Sequence, residues 1–151
     1  MYSAITIADE ILKISKEKGS CLTPLQLMKL VYISHGWSLA VRNRALFNNK
    51  IEAWKYGPVI PDLYQATKSF GRNIIPHSVI SDDASGVDKE TTIFLKSVLE
   101  KYGHLTGYAL SNLTHQSGTP WEQVYQDGMA GIEITNNTIK EHYLRLLRDR
   151  D

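Results

Sequence analysis

The sequence has little of what a disulfide-stabilised or membrane-spanning protein needs. Cys21 is the only cysteine in 151 residues, so no disulfide can form within the chain, as is usual in a reducing compartment. No stretch approaches the roughly 20 apolar residues of a transmembrane helix. The first ten residues have neither the basic flank nor the apolar run of a signal peptide. We therefore expect a cytoplasmic protein that makes no contact with a membrane.

An excess of positive charge is also missing. The chain has 17 basic and 16 acidic residues, for a net charge of +1. Proteins that bind nucleic acid by themselves usually have a clear basic excess, because the neutralised phosphates supply much of the affinity. Nucleic acid is therefore not expected as the main partner.

Residues grouped as metal ligands or as a phosphate-binding loop are lacking. The carboxylates of Glu52, Asp82, Asp83 and Glu122 show no pairing that indicates acid–base catalysis, and the ten glycines are spread singly. No histidine is followed by another at the i+3 or i+4 spacing that would place two ligands on one helix face. We expect no metal and no cofactor, with isolated histidines at positions 35, 77, 104, 115 and 142.

A catalytic nucleophile has weak support. Cys21 precedes a predicted helix start at Thr23, where the positive end of the helix dipole would favour a nucleophile. However, no motif surrounds it, and a lone cysteine is more often a small buried residue. We therefore expect a binding protein and no enzyme, and keep a small hydrolase using Cys21 or His115 as the less favoured alternative.

Helical periodicity dominates the rest of the chain. A single domain spanning residues 1–151 is predicted to be all-α, a compact bundle of about seven short helices with a small β element around residues 51–56. The second helix is apolar over so wide an arc that it should be the buried central one. The predicted starts are Thr6, Thr23, Pro61, Asp88, Thr106, Thr119 and either Asn136 or Asn137.

The β element carries an unusual group of aromatic residues. Trp54 and Tyr56 lie two positions apart in a segment read as extended, so both should face one side and Lys55 the other. Gly57-Pro58 is predicted to form an exposed turn after them. For this pair, a core role and an interface role are equally open, whereas Trp37 and Trp121 fit the core better.

Three stretches together resemble the Panacea family of antitoxins, also described as SocA-like or phage-associated GepA-like. The second stretch is the most distinctive, and order and spacing match from about Ile7 to Tyr143. The stretches are Leu27-Met28-Lys29-Leu30-Val31-Tyr32 with His35-Gly36-Trp37 and Leu39; Ile51-Glu52-Ala53-Trp54-Lys55-Tyr56-Gly57-Pro58-Val59-Ile60-Pro61-Asp62-Leu63-Tyr64; and Leu110-Ser111-Asn112-Leu113-Thr114-His115-Gln116 with Pro120-Trp121.

The resemblance implies a helical antitoxin that neutralises a cognate toxin protein by direct contact. One type of relative instead acts as an adaptor that hands its toxin to the ClpXP protease. The family offers no catalytic residues, and we take Trp54, Tyr56, Pro58 and Tyr64 as candidates for contacts with the partner. The alternative from another class is a phage- or prophage-encoded regulator that binds a host protein.

Overall fold

The fold is known from a computed structural model that describes residues 1–76 and 86–149. The described residues form seven α-helices and a three-stranded sheet, which confirms the predicted mainly helical architecture. Residues 77–85, which include His77, Asp82 and Asp83, lie outside the described part. In chain order the elements are α1 (Ala4–Glu17), α2 (Pro24–Trp37), β1 (Glu52–Trp54), β2 (Gly57–Val59), α3 (Pro61–Thr67), α4 (Lys89–Tyr102), α5 (Gly107–His115), α6 (Pro120–Val124), β3 (Ile132–Glu133) and α7 (Asn136–Arg148).

Helix α2 is the centre of the core. All its residues from Leu27 to Trp37 are buried, and it packs against α1, α4, α5 and α7. A helix surrounded on every side has no polar face to show, which agrees with the wide apolar arc in its sequence. A π-helical turn, Ser38–Arg42, extends it and contacts α7. Among the described residues, no helix is long and apolar enough to cross a membrane.

Most of the predicted helix starts are confirmed by side-chain caps. Thr23 accepts the amide hydrogen of Gln26, and the Gln26 side chain accepts that of Thr23, a complete capping box. Asp88, Thr106 and Thr119 cap α4, α5 and α6, and each side chain accepts the amide hydrogen three residues ahead.

Two predicted starts were wrong by one to three residues. Ser3, not Thr6, caps α1, and Thr6 supplies the amide hydrogen that the Ser3 hydroxyl accepts. Thr135, not Asn136 or Asn137, caps α7. In both places two neighbouring residues could serve as caps, and propensity alone does not choose between them.

The sheet corrects the predicted turn. Strands β1 and β2 pair antiparallel with Trp54 opposite Gly57, so the turn consists of Lys55 and Tyr56. Gly57 and Pro58 belong to β2 and are buried, not exposed in a turn. Strand β3, which was not predicted, pairs with the other side of β1 through Ile132. A proline fits here because β2 is an edge strand, where a missing amide hydrogen breaks no ladder.

The motif residues His35 and Gly36 serve the core. The His35 ring is buried, stacks on Phe47 and accepts the amide hydrogen of Leu46 at Nδ1, so its Nε2–H donates to Asn136. Burial lowers the pKa of His35, which keeps the ring neutral. Gly36 faces Tyr143 of α7 so closely that the ring leaves no room for a Cβ atom.

Four apolar side chains on three of the helices lie near the surface. Each is more than a third exposed: Tyr64, Leu113, Leu146 and Leu147.

The caps give a direct stability test. Thr23→Ala and Thr119→Ala should each lower the free energy of unfolding by about 1 kcal/mol, because an amide hydrogen loses its acceptor. Urea denaturation measures the loss. Ser117→Ala is the matched control, since Ser117 is exposed and caps no helix. Equal midpoints for all three variants would show that these hydroxyls contribute nothing to stability.

Candidate partner-binding surface

The four candidate residues lie on the β1–β2 hairpin and the helix that follows it. Tyr56 at the tip is 73% exposed, Tyr64 on α3 is 40% exposed, and Trp54 is half-buried. The rings of Trp54 and Tyr64 meet edge to face at 5.1 Å between centroids. The structure therefore brings three of the candidates to one surface.

Pro58 differs from the other candidates. It is buried in β2, because this edge of the sheet packs on α2 and α5. Its carbonyl accepts a hydrogen bond from Lys29 at 2.9 Å. Pro58 thus supports the hairpin from inside the protein, and the expectation of an exposed ring was wrong.

Lys55 also departs from its predicted orientation. Its ammonium lies 5.5 Å from the centroid of the Tyr56 ring, on the same side as Tyr56. The alternation of side chains holds only within a strand, and β1 ends at Trp54. The turn residues Lys55 and Tyr56 are therefore free of that rule.

Three side chains from other elements hold the hairpin by its backbone. The indole N–H of Trp121 donates to the carbonyl of Trp54, and the hydroxyl of Ser111 donates to that of Tyr56 at 3.3 Å. Lys29 binds the carbonyl of Pro58, so every second carbonyl from Trp54 to Pro58 accepts a hydrogen bond from a side chain. The backbone is fixed, while the side chains at the tip stay exposed.

Gly57 allows the side chains of Lys29 and His115 to approach the hairpin closely. Its φ is +125°, a region that L-residues rarely adopt. A Cβ atom at this position would lie 2.8 Å from Nζ of Lys29 and 3.6 Å from Cβ of His115. The His115 ring packs edge-on against Trp121, and its Nδ1 bonds to the carbonyl of Ser111. His115 therefore helps to place Trp121.

Two grooves flank the hairpin, and Trp54 and Lys55 line both. The first, which we call the lysine groove, has a volume of about 490 Å³. The second lies between β1 and the loop before β3 and has a volume of about 520 Å³. The lysine groove is lined by Pro24, Leu25, Met28, Lys29, Trp54, Lys55, Tyr56, Val59, Tyr64, Thr67, Lys68 and Gly71; the second by Glu52, Ala53, Trp54, Lys55, Tyr125, Gly128, Met129, Ala130 and Gly131.

Comparison with known proteins places the chain in a family. The family described as "Antitoxin SocA-like, Panacea domain" matches residues 27–122. The chain belongs to this Panacea family. It is also 31% identical, over 136 residues, to the protein named "Antitoxin SocA" of Caulobacter vibrioides (strain NA1000 / CB15N), covering 81% of this chain and 72% of that protein. No solved structure matches the chain.

The region matched by the Panacea family includes the hairpin and its supports. It includes Lys29, Ser111 and Trp121, whose side chains bind the hairpin carbonyls, as well as the hairpin itself. The family resemblance thus covers the residues that fix this surface in place.

Two exposed apolar residues were not predicted from the sequence. Leu25 and Tyr108, which are 46% and 77% exposed, were not singled out. Leu25 lines the lysine groove and lies against Gly107, the residue before Tyr108. A leucine at the second position of a helix is an ordinary pattern, so only the fold shows that it faces a groove.

Within the described residues, no three His, Cys, Asp or Glu side chains are grouped as metal ligands. Cys21 is exposed in the loop before α2, so the interpretation as a small buried residue was wrong. Cys21 lies two residues before Thr23, the cap of α2, and its thiol is outside the core.

Lys29 is 1% exposed, and burial lowers its pKa from 10.5 to about 8. Because this pKa is lower in the folded chain, the unfolded chain binds more protons between these values, and stability rises with pH. The contribution of Lys29 to stability is fully present above pH 10.5 and is lost as the pH falls through about 8.

We predict that the unfolding free energy of wild type relative to Lys29→Met rises by about 2 kcal/mol between about pH 7.5 and about pH 10. Urea denaturation of both proteins at each pH measures this difference. Groups common to both proteins cancel, so Lys29→Met serves as the internal reference. A difference that is independent of pH would mean that the Lys29 ammonium remains hydrated.

Proposed function

We propose that this Panacea-domain protein is an antitoxin that inactivates a cognate toxin protein by binding it directly through the hairpin surface, defined as Trp54, Lys55, Tyr56 and Tyr64. Membership of the antitoxin family supports the role. The observation that carries the choice of surface is the 73% exposure of Tyr56 on a backbone fixed by three side chains.

The physical argument concerns the cost of ordering. A mobile loop loses conformational entropy when it binds, whereas a loop that is already held in place loses little. Tyrosine and tryptophan add large contact area for few rotatable bonds and are enriched where binding energy is concentrated. Tyr56, with Trp54 and Tyr64 beside it, meets both conditions.

The same surface is compatible with two fates of the bound toxin. Binding alone inhibits the toxin if it covers the toxin's working surface. An adaptor would in addition present the toxin to the ClpXP protease. The half-life of the toxin in cells with and without the antitoxin separates these fates, because inhibition alone leaves the half-life unchanged.

A regulator that binds a host protein would use the same surface, and its partner would then be encoded elsewhere in the genome. For a hydrolase based on His115, the geometry offers little support. The Nδ1 atom of His115 is occupied by the Ser111 carbonyl, and its ring packs on Trp121.

Tyr56→Ala tests the proposal. The variant should weaken toxin binding by at least about 2 kcal/mol, or about thirtyfold. Its unfolding free energy should change by less than about 0.5 kcal/mol, because the side chain is exposed. Calorimetry with the protein encoded next to the antitoxin, growth rescue on co-expression, and urea denaturation supply the three readouts.

Ile93→Ala is the matched control, since Ile93 is an apolar side chain of α4 that is 58% exposed and lines neither groove. It should bind and rescue as wild type does. Full rescue by Tyr56→Ala at native stability would remove the hairpin tip from the interface. Absence of rescue by the wild-type protein would contradict the antitoxin role itself.

A further inference from the structure

The lysine groove has an uneven charge. Lys29, Lys55 and Lys68 line it, and its lining includes no carboxylate. Three positive charges in one groove stand out in a chain whose net charge is +1. The described residues form a salt bridge between Arg42 and Glu90, and neither residue lines the groove. The lysines of the groove are therefore not neutralised by ion pairs within the described chain.

The nearest acidic groups in sequence have other partners. Asp62, at the start of α3, accepts a hydrogen bond from the Asn49 side chain at 2.6 Å. Glu52 accepts the indole N–H of Trp54 at 2.9 Å and lies in the second groove. Positive charge in a concave, partly apolar site concentrates the electrostatic field and attracts anionic groups.

The walls of the groove are apolar. Leu25, Met28, Trp54, Val59 and Tyr64 form them. The groove volume of about 490 Å³ lies within the range of about 300–1,000 Å³ that is usual for ligand-binding pockets. An occupant that suits this groove has apolar groups for the walls and negative charges for the lysines.

We propose that the lysine groove binds an acidic segment of the toxin, whose apolar side chains enter the groove while its Asp or Glu carboxylates pair with Lys55 and Lys68. This inference rests on the proposed function, since the toxin is the partner. Lys55 and Lys68 are exposed and reach an incoming chain, whereas Lys29 is buried and adds a positive charge beneath the groove.

Lys29 strengthens this field because it is poorly screened by water. Its ammonium has the Pro58 carbonyl at 2.9 Å. Burial lowers the pKa of Lys29 to about 8, so the group is still mainly charged at neutral pH. A carboxylate bound nearby would stabilise that charge.

A protein segment suits the groove better than a nucleic acid. Nucleic-acid binding depends on many phosphate contacts along a basic surface. Here two exposed lysines flank a groove on a chain with nearly balanced charge. The apolar walls favour leucine- or phenylalanine-like side chains of a protein partner.

A pair of peptides tests the groove without the toxin. Both are acetylated and amidated: one has the sequence Glu-Leu-Glu-Phe-Glu, and the other has glutamine in place of each glutamate. NMR of the full chain follows the indole N–H signal of Trp54, assigned with Trp54→Phe. We expect the acidic peptide to shift this signal with at least about fivefold higher affinity, and the preference to shrink at high salt. Equal affinity of the two peptides would overturn the inference.

Charge reversal tests the same groove in two settings. The double variant Lys55→Glu, Lys68→Glu should lose the preference for the acidic peptide and lose growth rescue, with an unchanged melting curve. The pair Lys13→Glu, Lys96→Glu is the matched control with the same change of net charge, because both lysines are exposed and neither lines the groove. If the control loses rescue as the double variant does, net charge and not the groove is responsible, which overturns the inference.

The remaining outcomes separate this inference from the proposed function. In one outcome, the wild type and the double variant both rescue growth, and the wild type does not prefer the acidic peptide. This result overturns the binding of an acidic segment and leaves the antitoxin role intact. A peptide preference without rescue by the wild type supports the groove's chemistry and contradicts the antitoxin role. Tighter binding of a single-stranded DNA 12-mer than of the acidic peptide would overturn the inference.

Discussion

The hydrogen bond from the buried Lys29 ammonium to the Pro58 carbonyl is the constraint on which the surface depends. Placing a charged group in a core costs free energy unless a partner offsets it, and here the partner is the backbone of the hairpin. The bond requires close approach, which Gly57 permits by having no side chain. Core and surface are thereby joined through one lysine of the central helix.

The other supports repeat this arrangement from two other helices. Ser111 and Trp121, on α5 and α6, bind the carbonyls of Tyr56 and Trp54. An edge strand normally leaves its polar groups open to pairing with other chains. In this protein Lys29 occupies the Pro58 carbonyl of the edge strand β2, and Ser111 and Trp121 occupy carbonyls of the turn and of β1. The hairpin therefore presents its side chains at the tip and not these carbonyls.

The sequence alone predicted the helical architecture, most of the caps and the small β element, because helical periodicity and capping residues are local signals. It did not predict which way Lys55 points or that Gly57 and Pro58 belong to a strand. Those features depend on contacts with α2 and α5, which are distant in the chain. Lys29 shows the limit clearly: the sequence predicted a buried central helix, but not that the Lys29 ammonium would bind the Pro58 carbonyl of the hairpin.

A surface held by its backbone carbonyls has a consequence for specificity. The bonds from Lys29, Ser111 and Trp121 end on carbonyl oxygens, which every amino acid has. Replacement of Lys55 or Tyr56 therefore leaves these bonds in place, and because both side chains are exposed it changes little in the core. The residues that are proposed to meet a partner can vary while the hairpin keeps its shape. The fold and the proposed recognition thus rest on different atoms of the same five residues, Trp54 to Pro58.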